Sequence, residues 1–316
     1  MKEQSSVIVH TRAPLSSHPG LWWGLLGVTA FSFTLPFTRI AVGGLSPLFI
    51  GSGRAVVAAA LAALALAVTR QHPPTRAQCW RLAIVAGGVV AGFPLLTSFA
   101  MTAAPASHGA VVIGLLPAAT AVMVVLRTRE RPGRAFWWFA ALGAAAAVVF
   151  ASLQNGGLGE LHWADLLLFG AVLAAAIGYA EGGLLAREIG SWQTVSWALV
   201  LAAPLMLALT LGSALADPPS ASPVQWLAFA YLAVVSMFLG FFAWYRGLAI
   251  GPMAPVSQIQ LVQPVMSIAW AALLVHEQIG WPTALGGIAV VLCAALAVRS
   301  RLVDTRPTAH PLNEES

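Results

Sequence analysis

Lysine is almost missing from this 316-residue chain: Lys2 is the only one. The phosphate-binding loop of an ATPase needs a lysine behind a glycine-rich turn. Lys2 lies in a polar amino-terminal stretch without such a turn, so no motif for ATP hydrolysis is present. Charge of either sign is scarce: Asp, Glu, Lys and Arg make up 9% of the residues, where a soluble domain carries about 25%. Cysteine is scarce too, and Cys79 and Cys293 lie far apart in no metal or redox pattern. His276-Glu277 is not followed by a histidine at zinc-helix spacing, and no Gly-x-Ser-x-Gly elbow occurs. These gaps argue against an intramembrane hydrolase or transferase, and against a metal or cofactor. The net charge of +5 forms no basic patch, because the arginines sit between apolar runs; nucleic acid is not an expected partner.

Apolar sequence is what the chain has in abundance. Hydrophobic residues are 59% and mean hydropathy is +0.83. A membrane-crossing helix needs about 20 mostly apolar residues. Ten such runs can be placed, at roughly 21–41, 47–68, 80–101, 107–126, 135–153, 163–185, 192–215, 224–245, 253–275 and 281–299. Turn-forming separators divide them: Ser46-Pro47, His72-Pro73-Pro74, Pro132-Gly133, Asn155-Gly156-Gly157, Asp217-Pro218-Pro219 and Gly251-Pro252. The run from Leu21 reads as a retained span rather than a cleaved signal. With the amino terminus in the cytoplasm, fourteen of the sixteen Lys and Arg residues fall on the inner side, leaving Arg39 outside and Arg54 within a span. Basic residues collect on the cytoplasmic face, so both termini are expected inside.

A repeat runs through the spans. Ala104-Pro105, Pro117 and Glu130 return as Gly251-Pro252, Pro264 and Glu277, at a constant offset of 147 residues. The first copy ends among Arg127, Arg129, Arg131 and Arg134, whereas the second has no Arg or Lys from Glu277 until Arg299. A copy that keeps its prolines but loses its arginines is expected to insert the other way up, and five helices per half produce that inversion. The predicted fold is therefore all-α and integral to the membrane, ten transmembrane helices as two inverted five-helix repeats. The expected divisions are a cytoplasmic tail 1–20, a first repeat 21–153, an outer linker 154–162, a second repeat 163–299 and a cytoplasmic tail 300–316.

Ten spans in two halves, each with a proline midway along the fourth helix and a glutamate at its end, resemble the drug/metabolite transporter superfamily. Leu116-Pro117 to Glu130 and Gln263-Pro264 to Glu277 look like its EamA-type repeat. One departure is the loop His276-Glu277-Gln278, where a Gly-Glu pair is more usual. Within the superfamily the chain looks most like bacterial exporters of amino acids and related metabolites, including the YddG-like aromatic amino-acid exporter branch. The resemblance implies a secondary transporter of the bacterial inner membrane that exports small metabolites, amino acids first, by alternating access. Nucleotide-sugar or sugar-phosphate transport is the alternative within the superfamily, and a membrane protein without transport is the alternative outside it.

A transporter binds its cargo among polar groups stranded in apolar helices. Glu181, in Gly178-Tyr179-Ala180-Glu181-Gly182-Gly183, lies about 8 Å below the inner boundary at 1.5 Å per residue. It is a candidate for binding a substrate ammonium or for coupling to a proton gradient, against a structural ion pair with a residue such as Arg246. Tyr179 is its neighbour. Arg54 offers a guanidinium that matches a carboxylate, against an anchoring role at the helix end. Ser257, Gln260, Gln263 and Ser267 share one helical face of the ninth span, whereas the first repeat has Ala110, Ile113, Leu116 and Thr120 there. That added polarity reads as a cavity lining, against hydrogen bonding between helices. Phe241 and Trp244 in the eighth span, with Thr97 and Phe93 in the third, are candidate walls for an apolar side chain; packing between helices is the plainer reading. His108 is read as a solvated histidine at the outer edge.

Overall fold

The computed structural model describes residues 19–129, 131, 133–154, 161–250 and 259–304. Among them are nine helices long and apolar enough to cross a membrane: α1 Pro19–Ala41, α2 Pro47–Val68, α3 Arg76–Ala100, α4 Ala106–Thr128, α5 Arg134–Leu153, α6 Trp163–Ile189, α7 Ser191–Ala216, α8 Pro223–Gly247 and α10 Trp281–Ser300. Between α8 and α10 lies a shorter apolar helix, α9, Gln260–Leu274. No strand occurs among the described residues. Leucines such as Leu64, Leu166, Leu205 and Leu285 point outward, and Trp80, Trp138 and Trp281 are exposed near helix ends. Helices apolar on their outer faces with tryptophans at their ends belong in a bilayer. The chain is a ten-helix integral membrane protein of two inverted five-helix repeats.

Local structure repeats at the same 147-residue offset as the sequence. α3 begins with a capping box in which Thr75 and Gln78 each accept from the other's backbone N–H, and α8 begins with the same box built from Ser222 and Gln225. α3 passes through a π-helical stretch at Ala86–Gly92, and α8 through one at Tyr231–Leu239. α4 breaks at Gly114-Leu115, just before Pro117, and α9 opens with a 3₁₀ turn, Gln260–Val262, just before Pro264. In both cases proline removes a backbone donor and the helix yields on its amino-terminal side. Arg129 and His276 end α4 and α9 in the left-handed conformation, both at φ 57°. Glycine adopts that conformation freely, which gives a backbone reason for the usual glycine before this glutamate.

Packing follows an approximate two-fold relation. α2 lies against its counterpart α7, and α5 against α10; α1 packs on α8 as α6 packs on α3. The last two pairs depend on close backbone approach. A Cβ on Gly88 would meet the backbone of Gly178, and one on Gly247 would meet the backbone of Gly24. In lipid, where apolar surface gains little from leaving its solvent, such close contact is a main source of helix association.

Candidate functional site

These four breaks converge at the middle of the bundle, where α1 also falters at Phe33 before Pro36. Together they line a cavity of about 30 Å³, room for a water molecule or two. Phe31 and Thr34 come from α1, Arg54 from α2, Val89, Phe93 and Pro94 from α3, Leu116 from α4 and Tyr179 from α6. Ser236 and Phe241 come from α8 and Gln263 from α9. Irregular backbone at membrane depth is tolerated where it is buried or lines a cavity, and both halves supply it here.

Of the residues singled out in the sequence, Arg54, Phe93, Tyr179, Phe241 and Gln263 meet at this cavity. Gln260 lies next to it, in a cleft it shares with Gln263 and Ser267, and its Nε2 has no hydrogen-bond partner. Thr97 is buried in α3, but its hydroxyl donates to the Phe93 carbonyl at 2.7 Å and stays within its own helix. Trp244 is buried on the α1 side of α8, where its backbone meets Gly27. Ser257 lies outside the described residues. Arg54 is 2% exposed. Its Nε has no hydrogen-bond partner, and no carboxylate pairs with it among the described residues.

Glu181 does not line the cavity. Its carboxylate bridges Arg81 of α3 and Arg127 of α4, and Arg81 also reaches Glu188. The bond from Arg127 is 2.8 Å long. Arg246, the partner considered from sequence, stands instead over the ring of Trp23 at 5.6 Å. The Glu181 cluster therefore ties the halves together at the arginine-rich end of the bundle. Which helices bring arginines to Glu181 depends on how the repeats cross, and spacing along one run does not show that.

The opposite end is tied differently. Glu277 accepts from the backbone N–H groups of Ala106 and Ser107, at 2.7 and 2.9 Å, and so caps α4 from the other half. Next to it His108 is buried, with Nε2 2.6 Å from Asp165 Oδ1. It is thus a paired interior histidine rather than a solvated one, because α6 begins directly over the start of α4. A recess of about 430 Å³ opens beside these groups, lined by Ser107, His108, His162, Asp165, Glu277 and Thr283.

Polar links also cross the middle. Thr34 and Ser236 share a hydrogen bond of 2.8 Å between α1 and α8. Pro36 has no N–H to offer the Ser32 carbonyl four residues earlier, and Ser267 of α9 donates to that carbonyl at 2.7 Å. One member of the polar stripe on α9 therefore joins helices, while Gln263 faces the cavity. Thr34 and Ser236 were not singled out in the sequence. Their only signal was a hydroxyl within an apolar run, and many such hydroxyls bond their own helix.

Residues 18–152 and again 162–299 match the EamA-like transporter family. A protein of Bacillus subtilis (strain 168) described as uncharacterized transporter YdeK is 44% identical over 279 residues, covering 87% of this chain and 96% of its own. A solved crystal structure with 19% identity covers 90% of this chain and 99% of its own, with a TM-score of 0.60; that likeness concerns the fold alone.

Proposed function

Because the chain belongs to the EamA-like transporter family, we propose that it moves a small metabolite through the central cavity by alternating access. Export across the bacterial inner membrane is the proposed direction, with both termini in the cytoplasm and the Glu181 cluster at the cytoplasmic end. Amino acids with apolar or aromatic side chains are the proposed substrate class. The proposed repeats are residues 21–153 and 163–299, joined by an outer linker 154–162 and flanked by tails 1–20 and 300–316.

One observation carries this reading: broken segments of α3, α4, α8 and α9, two from each half, meet around one buried pocket that contains polar groups. In transporters built from inverted repeats, cargo binds near the midplane on such discontinuous helices, and one half rocks against the other. Arg54, Tyr179, Phe241 and Gln263 are the proposed cargo contacts, with Gln260 beside them; Trp244 and Thr97 support the wall. The Glu181 cluster and the Glu277 cap are proposed as the contacts that break in turn as the ends open. A sugar nucleotide fits less well, since among the described residues one guanidinium is all the positive charge the cavity offers to several phosphate charges.

The test is counterflow in proteoliposomes of the purified protein. Saturable uptake of a labelled amino acid, accelerated by unlabelled amino acid on the far side, supports the reading. Uptake that rises linearly with concentration, or is absent for every amino acid offered, counts against the substrate class.

A further inference from the structure

We propose that the preferred cargo is a monoanion with an apolar body, held by its carboxylate on Arg54, and that the membrane potential alone drives its export. This rests on the transport reading above, but in place of a zwitterionic amino acid it assigns the cavity an apolar carboxylate without the ammonium. Arg54 is an arginine sealed in the bundle with an open donor and no counter-charge among the described residues. Burying a guanidinium unpaired is costly unless something else completes it. No lining residue of the cavity is acidic among the described residues. The two acids of α6 that are buried are already engaged, Glu181 by Arg81 and Arg127, and Asp165 by His108 and the backbone N–H of His162.

The rest of the lining is Phe31, Phe93, Tyr179, Phe241 and aliphatic side chains, with neutral Thr34, Ser236 and Gln263. At about 30 Å³ the cavity has to widen before it can admit cargo; once widened, a lining of this kind suits a planar carboxylate on an aromatic or branched body. One guanidinium balances one negative charge. A zwitterion would bring an ammonium with no carboxylate to receive it, and a cation would meet like charge. A cargo of net charge −1 on a +1 site crosses as a neutral pair, and the emptied carrier returns with its positive charge. Each cycle then moves one negative charge outward, so an inside-negative potential favours export without a coupled ion. A potential of about 100 mV is worth about 2.3 kcal/mol per charge, or about a 50-fold concentration ratio.

Phenylpyruvate, phenylalanine and phenethylamine share one aromatic body and differ in charge, which makes them suitable probes. Thermal unfolding of the purified full-length protein should shift upward with phenylpyruvate, less with phenylalanine, and not with phenethylamine. Arg54→Met should unfold at a higher temperature than the parent without ligand, because an uncompensated buried charge is gone, and should lose the phenylpyruvate shift. In proteoliposomes with a potassium diffusion potential, phenylpyruvate efflux should follow the potential and phenylalanine efflux should not. The proposal is overturned if Arg54→Met lowers the ligand-free unfolding temperature, or if phenylalanine binds as well as phenylpyruvate and does so without Arg54. Absence of any phenylpyruvate shift overturns it as well. Saturable amino-acid counterflow in those same preparations would leave the transport reading standing, whereas loss of all saturable flux would remove both.

Discussion

Glu181→Gln removes one negative charge from between two arginines and leaves the side-chain shape almost unchanged. The Glu181 side chain is 4% exposed, that of Arg81 20% and that of Arg127 53%. Breaking a fully buried pair costs about 3–5 kcal/mol, and a solvated pair is worth about 0–1 kcal/mol. Arg127 can hydrate where it stands and Arg81 keeps Glu188, so the loss lies between these limits, about 1–2 kcal/mol. Because the cluster joins the halves, that energy comes off the closed state of the arginine-rich end. A change of this size alters a two-state ratio by about 5–30-fold. Val85 is buried beside Gly182, one turn along α3 from Arg81 of the cluster. In a background with Cys79 and Cys293 replaced by serine and alanine, a thiol introduced by Val85→Cys should react with a water-soluble maleimide about 5–30-fold faster once Glu181→Gln is added. An unchanged rate in a folded protein would refute the idea that this cluster holds the end shut. The same variant separates latch from proton carrier. Flux that keeps its response to a pH gradient excludes proton coupling through Glu181, and abolished gradient-driven flux supports it.

Three further outcomes follow from the geometry. Ser267→Ala should destabilise the protein by about 1 kcal/mol, in line with hydrogen bonds between membrane helices; in a Pro36→Ala background, where Ser32 regains its helical donor, the cost should nearly vanish, and an additive double-mutant cycle in detergent unfolding would reject the link. His276→Gly should raise stability by up to about 1 kcal/mol, since glycine takes the left-handed conformation without a Cβ clash; a lower unfolding temperature would show that the histidine side chain contributes more than the strain it causes. Glu277→Ala should cost about 1–2 kcal/mol by uncapping α4, and should speed labelling of a thiol placed by Thr283→Cys; unaltered labelling would deny the cap a gating role.

Much of the architecture was legible because the membrane enforces it. Long apolar runs mark helices, and Pro117 and Pro264 mark where two of them break. The 147-residue offset, found from a few prolines and a glutamate, reappears in capping boxes, π-helical stretches and left-handed residues that single-sequence periodicity does not reveal. The site was harder to read. Arg54 and Gln263 stood out because a charge or an amide in hydrocarbon is expensive anywhere. Thr34 and Ser236 did not, because small hydroxyls are common in membrane helices. The partners of Glu181 also stayed hidden: Arg81 and Arg127 belong to helices whose approach to α6 is set by the crossing of the two halves, not by spacing along any one run.

The central claim is that cargo passes through the cavity between the halves. Ala175 lines that cavity and is 1% exposed, while Leu166 lies on the lipid face of the same helix at 60% exposed. Counterflow should be lost in Ala175→Phe, which fills the cavity, and retained in Leu166→Phe. Undiminished saturable flux in a properly folded Ala175→Phe protein would place the pathway elsewhere.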